Sequence, residues 1–238
     1  MDNKEKTAQM AAMARVVFIK AFIGDKKKGL KMKINFKMND FLQSPLTLPP
    51  AELVEEWRGW VVGKLQEMCY DSRDALSFNK LVDYAARYGA GSDGEFAAPP
   101  RGIVMMGSRG TGKTEFLRRF SAMFDVDIID ARDLAWEFAI GGATAVNELL
   151  MSRRFQDLII DDIGNEDEAK NWGNSFSLAA IIDKRYRLWS VPGGPLTFFA
   201  TNATPEELAK RYGNTVASRI FGMCDVIRFS GTDRRLER

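Results

Sequence analysis

Histidine is missing from all 238 residues. Its absence excludes imidazole acid–base chemistry and histidine-ligated metals, and leaves carboxylates, lysine, arginine, hydroxyls or a bound ion for any catalysis. Cysteine is nearly missing: Cys69 and Cys224 lie far apart, without the paired spacing of a zinc site, so each reads as a reduced, small apolar residue. No apolar run approaches the roughly 20 residues that cross a bilayer. The polar start, Met1 to Thr7, lacks the apolar core of a secretory signal. A cytoplasmic protein with no membrane partner is therefore expected. Nor does one sign of charge dominate, with 34 basic against 32 acidic residues, so net charge argues neither for nor against nucleic acid.

What is present is unevenly placed. Lys20, Lys26, Lys27, Lys28, Lys31, Lys33 and Lys37 gather near the N-terminus, and Asp157 to Glu168 is acidic. From Leu30 to Met38 apolar and polar residues alternate, the two-residue period of a half-buried strand. Val16 to Ile23 is a second β-rich run, so the spacing predicts a hairpin turning through Gly24 to Gly29. After Pro45, Pro49 and Pro50, the residues Leu53, Trp57, Trp60, Val61, Leu65 and Met68 recur at helical spacing. A further helix is expected with Ser77 as its cap, Phe78, Leu81, Val82 and Ala85 inward and Gly89 as its stop. Gly89 to Pro100 reads as a linker. Two units follow: an N-terminal region, 1–98, and a second domain, 99–238.

Beyond Pro100, short apolar runs alternate with longer amphipathic stretches, the pattern of a parallel sheet covered by helices, an α/β architecture. The expected strands are Gly102–Met106, Asp127–Asp130, Leu158–Asp161, Leu196–Thr201 and Val226–Phe229. Thr204-Pro205-Glu206-Glu207 carries the cap, proline and glutamate of a helix start.

Between the first strand and its helix stands Gly107-Ser108-Arg109-Gly110-Thr111-Gly112-Lys113-Thr114, a complete G-x-x-x-x-G-K-[ST] pattern. The glycines let successive N–H groups converge on phosphate oxygens, and the helix adds the positive end of its dipole. Lys113 then reaches the β- and γ-phosphates of ATP, and the Thr114 hydroxyl ligates Mg²⁺. Asp157-Leu158-Ile159-Ile160-Asp161-Asp162 is an apolar strand ending in two carboxylates at the sheet edge where ligands bind. Asp161 is expected to hold Mg²⁺ through water and Asp162 to polarise the water that attacks the γ-phosphate. The same carboxylates also read as a solvated strand end before the acidic Glu166, Asp167 and Glu168. Asn202 falls beside the γ-phosphate if the fourth strand lies between those carrying the glycine-rich loop and Asp161, although Thr-Asn before a helix is also an ordinary cap.

Together the glycine-rich loop, Leu158 to Gly164, Phe199-Ala200-Thr201-Asn202, Arg211-Tyr212-Gly213 and Ala217-Ser218-Arg219-Ile220 resemble the AAA+ ATPases of the bacterial helicase-loader family, DnaC and DnaI. The transposition ATPase IstB shares much of this pattern. The resemblance covers Arg101 to the C-terminus and implies a P-loop NTPase (AAA+) fold, a five-stranded parallel sheet with flanking helices, beside a small N-terminal region. It further implies that Asn202 is the sensor-1 residue and that Arg219 is an arginine finger reaching the ATP site of a neighbouring subunit in a homo-oligomer. Arg234 or Arg235 is the candidate for sensor 2. Single-stranded DNA contacts are implied over Ala131 to Phe155, where Arg132, Arg153 and Arg154 supply charge; for Trp136 and Phe138 core packing is expected over base stacking.

Four functions fit these residues. The leading one is a Mg²⁺-dependent ATPase that loads or remodels a replicative helicase on DNA. The others are a transposition accessory ATPase acting on a transposase and target DNA, a small-molecule P-loop kinase, and a nucleotide-gated binding module with little turnover, to which the short Asp162 is suited. A water-polarising Asp162 with Asn202 on a separate strand favours water over a kinase's acceptor.

Overall fold

The computed structural model describes residues 51–68, 70, 75–90, 101–151, 153, 156–191, 194–231 and 233. The expected N-terminal hairpin and its lysines, residues 91–100 of the linker, Arg154, Arg234 and Arg235 lie outside the described residues.

Chain order runs α1 (Ala51–Glu67), α2 (Ala75–Ala90), β1 (Gly102–Met106), α3 (Lys113–Phe124), β2 (Asp127–Asp130), α4 (Ala131–Met151), β3 (Leu158–Ile163), β4 (Lys170–Asn171), β5 (Asn174–Ser175), α5 (Leu178–Trp189), β6 (Thr197–Thr201), α6 (Pro205–Tyr212), α7 (Asn214–Met223) and β7 (Cys224–Arg228). Five strands form one sheet in the order β2-β3-β6-β1-β7, and every neighbouring pair is parallel. Every residue of β1 and β6 is buried, which is why these strands read as unbroken apolar runs rather than alternating ones. The last strand begins two residues earlier than expected, because Cys224 already pairs with Gly102.

Helices α1 and α2 pack onto the sheet unit through aromatic side chains. Tyr88 lies 5.0 Å from the rings of both Phe120 and Phe124 on α3, Tyr84 meets Phe198 of β6 edge-on at 6.1 Å, and Trp57 sits 6.1 Å from Phe124. Edge-on and tilted pairs of this kind add to the area they bury. Ser77 does not cap α2. The helix starts two residues earlier, and the Ser77 hydroxyl donates to the Arg228 carbonyl at 2.6 Å, tying α2 to β7. Gly89 does not stop α2 either: it lies within the helix, where a Cβ would come within 2.4 Å of the Trp57 ring.

Two local features shape the neighbourhood of the site. Helix α4 kinks at Gly142, whose φ is 65°. The Asn171 side chain of the β4–β5 hairpin donates to the carbonyls of Ala139 and Ile140 beside that kink, at 2.9 and 3.3 Å. On the other side, Thr204 and Glu207 form the expected reciprocal capping box with Pro205 in the first turn of α6.

Candidate nucleotide site

The glycine-rich loop runs from the end of β1 into α3. Gly107, Gly110 and Gly112 take φ values of 150°, 74° and 98°, a region that side-chain-bearing residues rarely adopt. Space imposes the same choice. A Cβ on Gly107 would stand 2.4 Å from the Phe229 carbonyl oxygen, and one on Gly110 would stand 1.8 Å from the Asp233 carboxylate. The segment after β7 therefore lies against the loop, and the Ser108 hydroxyl donates to the Gly231 carbonyl at 3.1 Å. The Thr111 hydroxyl braces the loop from within by donating to the Ser108 carbonyl at 2.9 Å. Arg109 is exposed.

Lys113, the first residue of α3, is buried although charged. Its ammonium donates to the carbonyls of Gly107 and Ser108, both at 2.7 Å, and to the Asn202 side-chain oxygen at 2.9 Å. Because β6 lies between β1 and β3, Asn202 at the end of β6 can touch both sides: its amide nitrogen donates to Asp162 Oδ1 at 3.1 Å.

Between Ile160 and Ile163 the pairing of β3 with β6 shifts register, and Asp162 sits at this bulge with a φ of 57°. An unbroken strand would point successive side chains to opposite faces; the extra residue re-aims them. Asp161 Oδ1 accepts from the Thr114 hydroxyl at 3.2 Å and from the Asp162 N–H at 2.9 Å. Burial pushes the Asp161 carboxyl up from its ordinary range against these two hydrogen bonds, and neighbouring Asp130 and Asp162 push it the same way. Among the described residues no lysine or arginine forms an ion pair with Asp161.

One buried carboxylate beside one hydroxyl, at the mouth of a phosphate loop, is the donor set that suits Mg²⁺. That ion takes one or two protein ligands, keeps several waters and completes its shell with phosphate oxygens. Thr114 and Asp161 would hold it, and the cation would supply the charge that the buried carboxylate lacks. When bound, Mg²⁺ neutralises charge developing on the phosphoryl oxygens.

One of the two aromatic side chains expected in the core on α4 departs from expectation. Phe138 is buried as expected, but Trp136 on the same helix is 63% exposed and does not pack in the core. Arg132, on α4, pairs with Asp130 at 2.8 Å and stands 3.6 Å from Asp162 Oδ2, and Arg153, just beyond α4, pairs with Asp127 at 2.8 Å. Although burial raises the Asp130 carboxyl, the Arg132 guanidinium prevails and holds it below its ordinary value. Arg219, on α7, packs against α5 of its own chain: it pairs with Asp183, and its guanidinium lies 5.3 Å over the Tyr186 ring. The structure thus gathers the loop, Asp161, Asp162 and Asn202 into one site and gives Arg219 its contacts on a different helix.

Glu166 and Asn165 were not singled out by sequence reasoning. The Asn165 amide donates to Asp162 Oδ1 at 2.6 Å. Glu166, read as part of a solvated acidic loop, is buried: Arg211 Nε donates to it at 2.9 Å, and the Tyr212 hydroxyl lies 2.8 Å from it. Its sequence signal was the Arg211-Tyr212-Gly213 stretch of the family resemblance, which supplies both partners.

Sheet order, phosphate loop and the paired carboxylates of β3 define an α/β P-loop fold of the AAA+ kind. In that fold the chain is similar to DnaI. It superposes on the crystal structure of DnaI with a TM-score of 0.51 at 21% identity, over 70% of this chain and 89% of that one. It is also similar to the crystal structure of the DnaC helicase loader, with a TM-score of 0.47 at 16% identity over 68% of this chain and 94% of that one. A third similar structure is that of a DNA replication initiation factor, with a TM-score of 0.41 at 16% identity over 55% of this chain and 40% of that one. No protein-family model matches the sequence, and no curated protein matches it. Among the described residues no helix is long and apolar enough to cross a membrane.

Proposed function

We propose that the chain is a Mg²⁺-dependent ATPase that acts as a helicase-loader-like factor in DNA replication. The observation that carries this reading is the convergence of Lys113, Thr114, Asp161, Asp162 and Asn202 at the ends of β1, β6 and β3, all within one hydrogen-bonded cluster. In this reading the loop N–H groups and Lys113 hold the triphosphate of ATP, and Thr114 and Asp161 hold Mg²⁺. Asp162 accepts a proton from the attacking water as its oxygen bonds to the γ-phosphorus and the bond to the ADP oxygen breaks. Asn202 orients that water and Asp162 alike.

The loader role rests on the sequence resemblance to DnaC and DnaI and is supported by the DnaI-like fold. It brings the finer parts of the proposal: a replicative helicase as partner, single-stranded DNA as ligand, and a homo-oligomer in which Arg219 serves the site of the next subunit. That last step requires Arg219 to leave Asp183 and Tyr186, or to carry them into the interface. Arg235 is kept as the proposed sensor-2 residue.

The test is ATP binding and turnover by the wild type, Lys113→Ala and Arg219→Ala, with and without single-stranded DNA, each variant alone and the two mixed. Lys113→Ala is expected to lose binding, Arg219→Ala to keep binding and lose turnover, and the mixture to recover part of it through composite sites. ATP bound without turnover in any condition would replace the ATPase by a nucleotide-gated binding module.

A further inference from the structure

Asp162 is unusual in its setting. It is a non-glycine residue in the left-handed region, a conformation that costs free energy and persists only where the surroundings hold it. What holds it comes from two directions. Asn202, at the end of β6, donates to Oδ1 at 3.1 Å, and Asn165, three residues on from Asp162, donates to the same oxygen at 2.6 Å. The Asn165 N–H also donates to the Asp162 carbonyl at 3.3 Å, closing a tight turn through Gly164.

This turn is fastened more firmly than a surface loop requires. The Gly164 N–H donates to Glu166 Oε2 at 2.9 Å and lies 2.7 Å from the Tyr212 hydroxyl oxygen. Glu166 Oε1 accepts from Arg211 Nε at 2.9 Å, and the Tyr212 hydroxyl, 2.8 and 2.9 Å from the two carboxylate oxygens, donates its proton to Glu166. The Arg211 guanidinium also reaches the Glu166 carbonyl. A buried carboxylate is expensive unless its oxygens are filled. Here they are filled entirely by the turn and by the last two residues of α6, the helix that follows Asn202.

We propose that Asn165 is a positioning residue for Asp162, and that the Glu166–Arg211–Tyr212 clamp keeps Asn165 in place. The proposal rests on the reading of Asp162 as the group that takes the water's proton. With two amides on Oδ1, the carboxylate cannot rotate, and Oδ2 is the oxygen left to accept that proton, on the side where Arg132 stands at 3.6 Å. Both amides are linked to α6, Asn202 through the capped turn that starts it and Asn165 through the clamp at its end, so a shift of α6 disturbs both together.

The experiment is single-turnover ATP hydrolysis, with nucleotide affinity measured on the same samples, for the wild type, Asn165→Ala, Asn165→Asp and Glu166→Gln, each also in the Asp162→Asn background. Asn165→Ala is expected to slow hydrolysis about tenfold while nucleotide affinity changes less than about twofold, and Asn165→Asp to slow it further by setting like charges together. Neither is expected to slow the Asp162→Asn protein any more, because the group they position is already gone. Glu166→Gln should slow hydrolysis no more than Asn165→Ala does and, like it, add nothing to Asp162→Asn. Should the buried Glu166→Gln fail to fold, the two Asn165 variants, at a half-buried position, still decide the matter. Asn165→Ala at the wild-type rate, or an equal loss in both backgrounds, overturns the proposal and leaves the hydrolytic reading standing. A wild type that binds ATP and never hydrolyses it overturns both.

Discussion

The Thr114 hydroxyl and the Asp161 carboxylate, 47 residues apart in sequence, meet at 3.2 Å where α3 begins and β3 ends. Burial disfavours the charged form of that carboxylate. Its folded-state pKa lies above the unfolded value, so the protein carries a destabilisation above the folded pKa that is relieved as pH falls through it toward the unfolded value near 4. Asp161→Asn should therefore raise the melting temperature of nucleotide-free protein at neutral pH. The gain should shrink on acidification toward pH 4. The same variant should lose the tightening of ATP binding that Mg²⁺ gives the wild type. Calorimetry across pH and nucleotide titrations with and without Mg²⁺ check both halves.

Asn202 stands between Lys113 and Asp162, touching each. On the proposed reading, Asn202→Ala removes the amide that orients the water and its acceptor while leaving the loop itself intact. Hydrolysis should fall about 10- to 100-fold, with ATP affinity changed by less than about threefold because Lys113 keeps its loop contacts. An equal fall in binding and turnover would assign Asn202 to nucleotide binding instead.

Asp233 rests against Gly110, in a loop shaped for anions. On the proposed reading, replacing that carboxylate by a neutral amide removes negative charge from beside the triphosphate, an effect that salt screens. Asp233→Asn should tighten ATP binding about three- to tenfold at low salt, and the gain should fade as salt is added. Weaker binding in the variant would show that Asp233 instead helps hold the nucleotide.

Gly89 illustrates how position overrides intrinsic preference. In an open helix Gly→Ala gains about 0.5–1 kcal/mol. Here the new methyl would stand 2.4 Å from Trp57, and forcing atoms into a packed site costs about 1–3 kcal/mol. Gly89→Ala should destabilise the protein, which denaturant unfolding can measure directly.

The parts of the fold and site that were legible in the sequence are those written by local rules. Apolar runs placed all five strands to within two residues at each end, and the spacing of Gly107, Gly112, Lys113 and Thr114 marked the loop without any knowledge of its neighbours. Asn202 was legible only conditionally, since its role depended on β6 lying between β1 and β3, as it does. What stayed hidden was set by distant partners. Glu166 reads as a solvated acid until Arg211 and Tyr212 arrive from 45 and 46 residues away. Ser77 has the chemistry of a cap, but its hydroxyl belongs to the Arg228 carbonyl, 151 residues on. The β4–β5 hairpin has strands of two residues each, too short for a period to show. The bulge at Asp162 leaves no mark in composition at all.

The Lys113 ammonium already has three good acceptors, two loop carbonyls and the Asn202 oxygen. On the proposed reading, binding a triphosphate is an exchange: phosphate oxygens gain the lysine only as Asn202 and the carbonyls give it up. Measured affinity will understate the strength of the lysine–phosphate contact by whatever those internal bonds were worth. The exchange also hands information across the sheet, because the moment Lys113 turns to phosphate, the Asn202 amide loses one of its two anchors and its remaining tie is to Asp162.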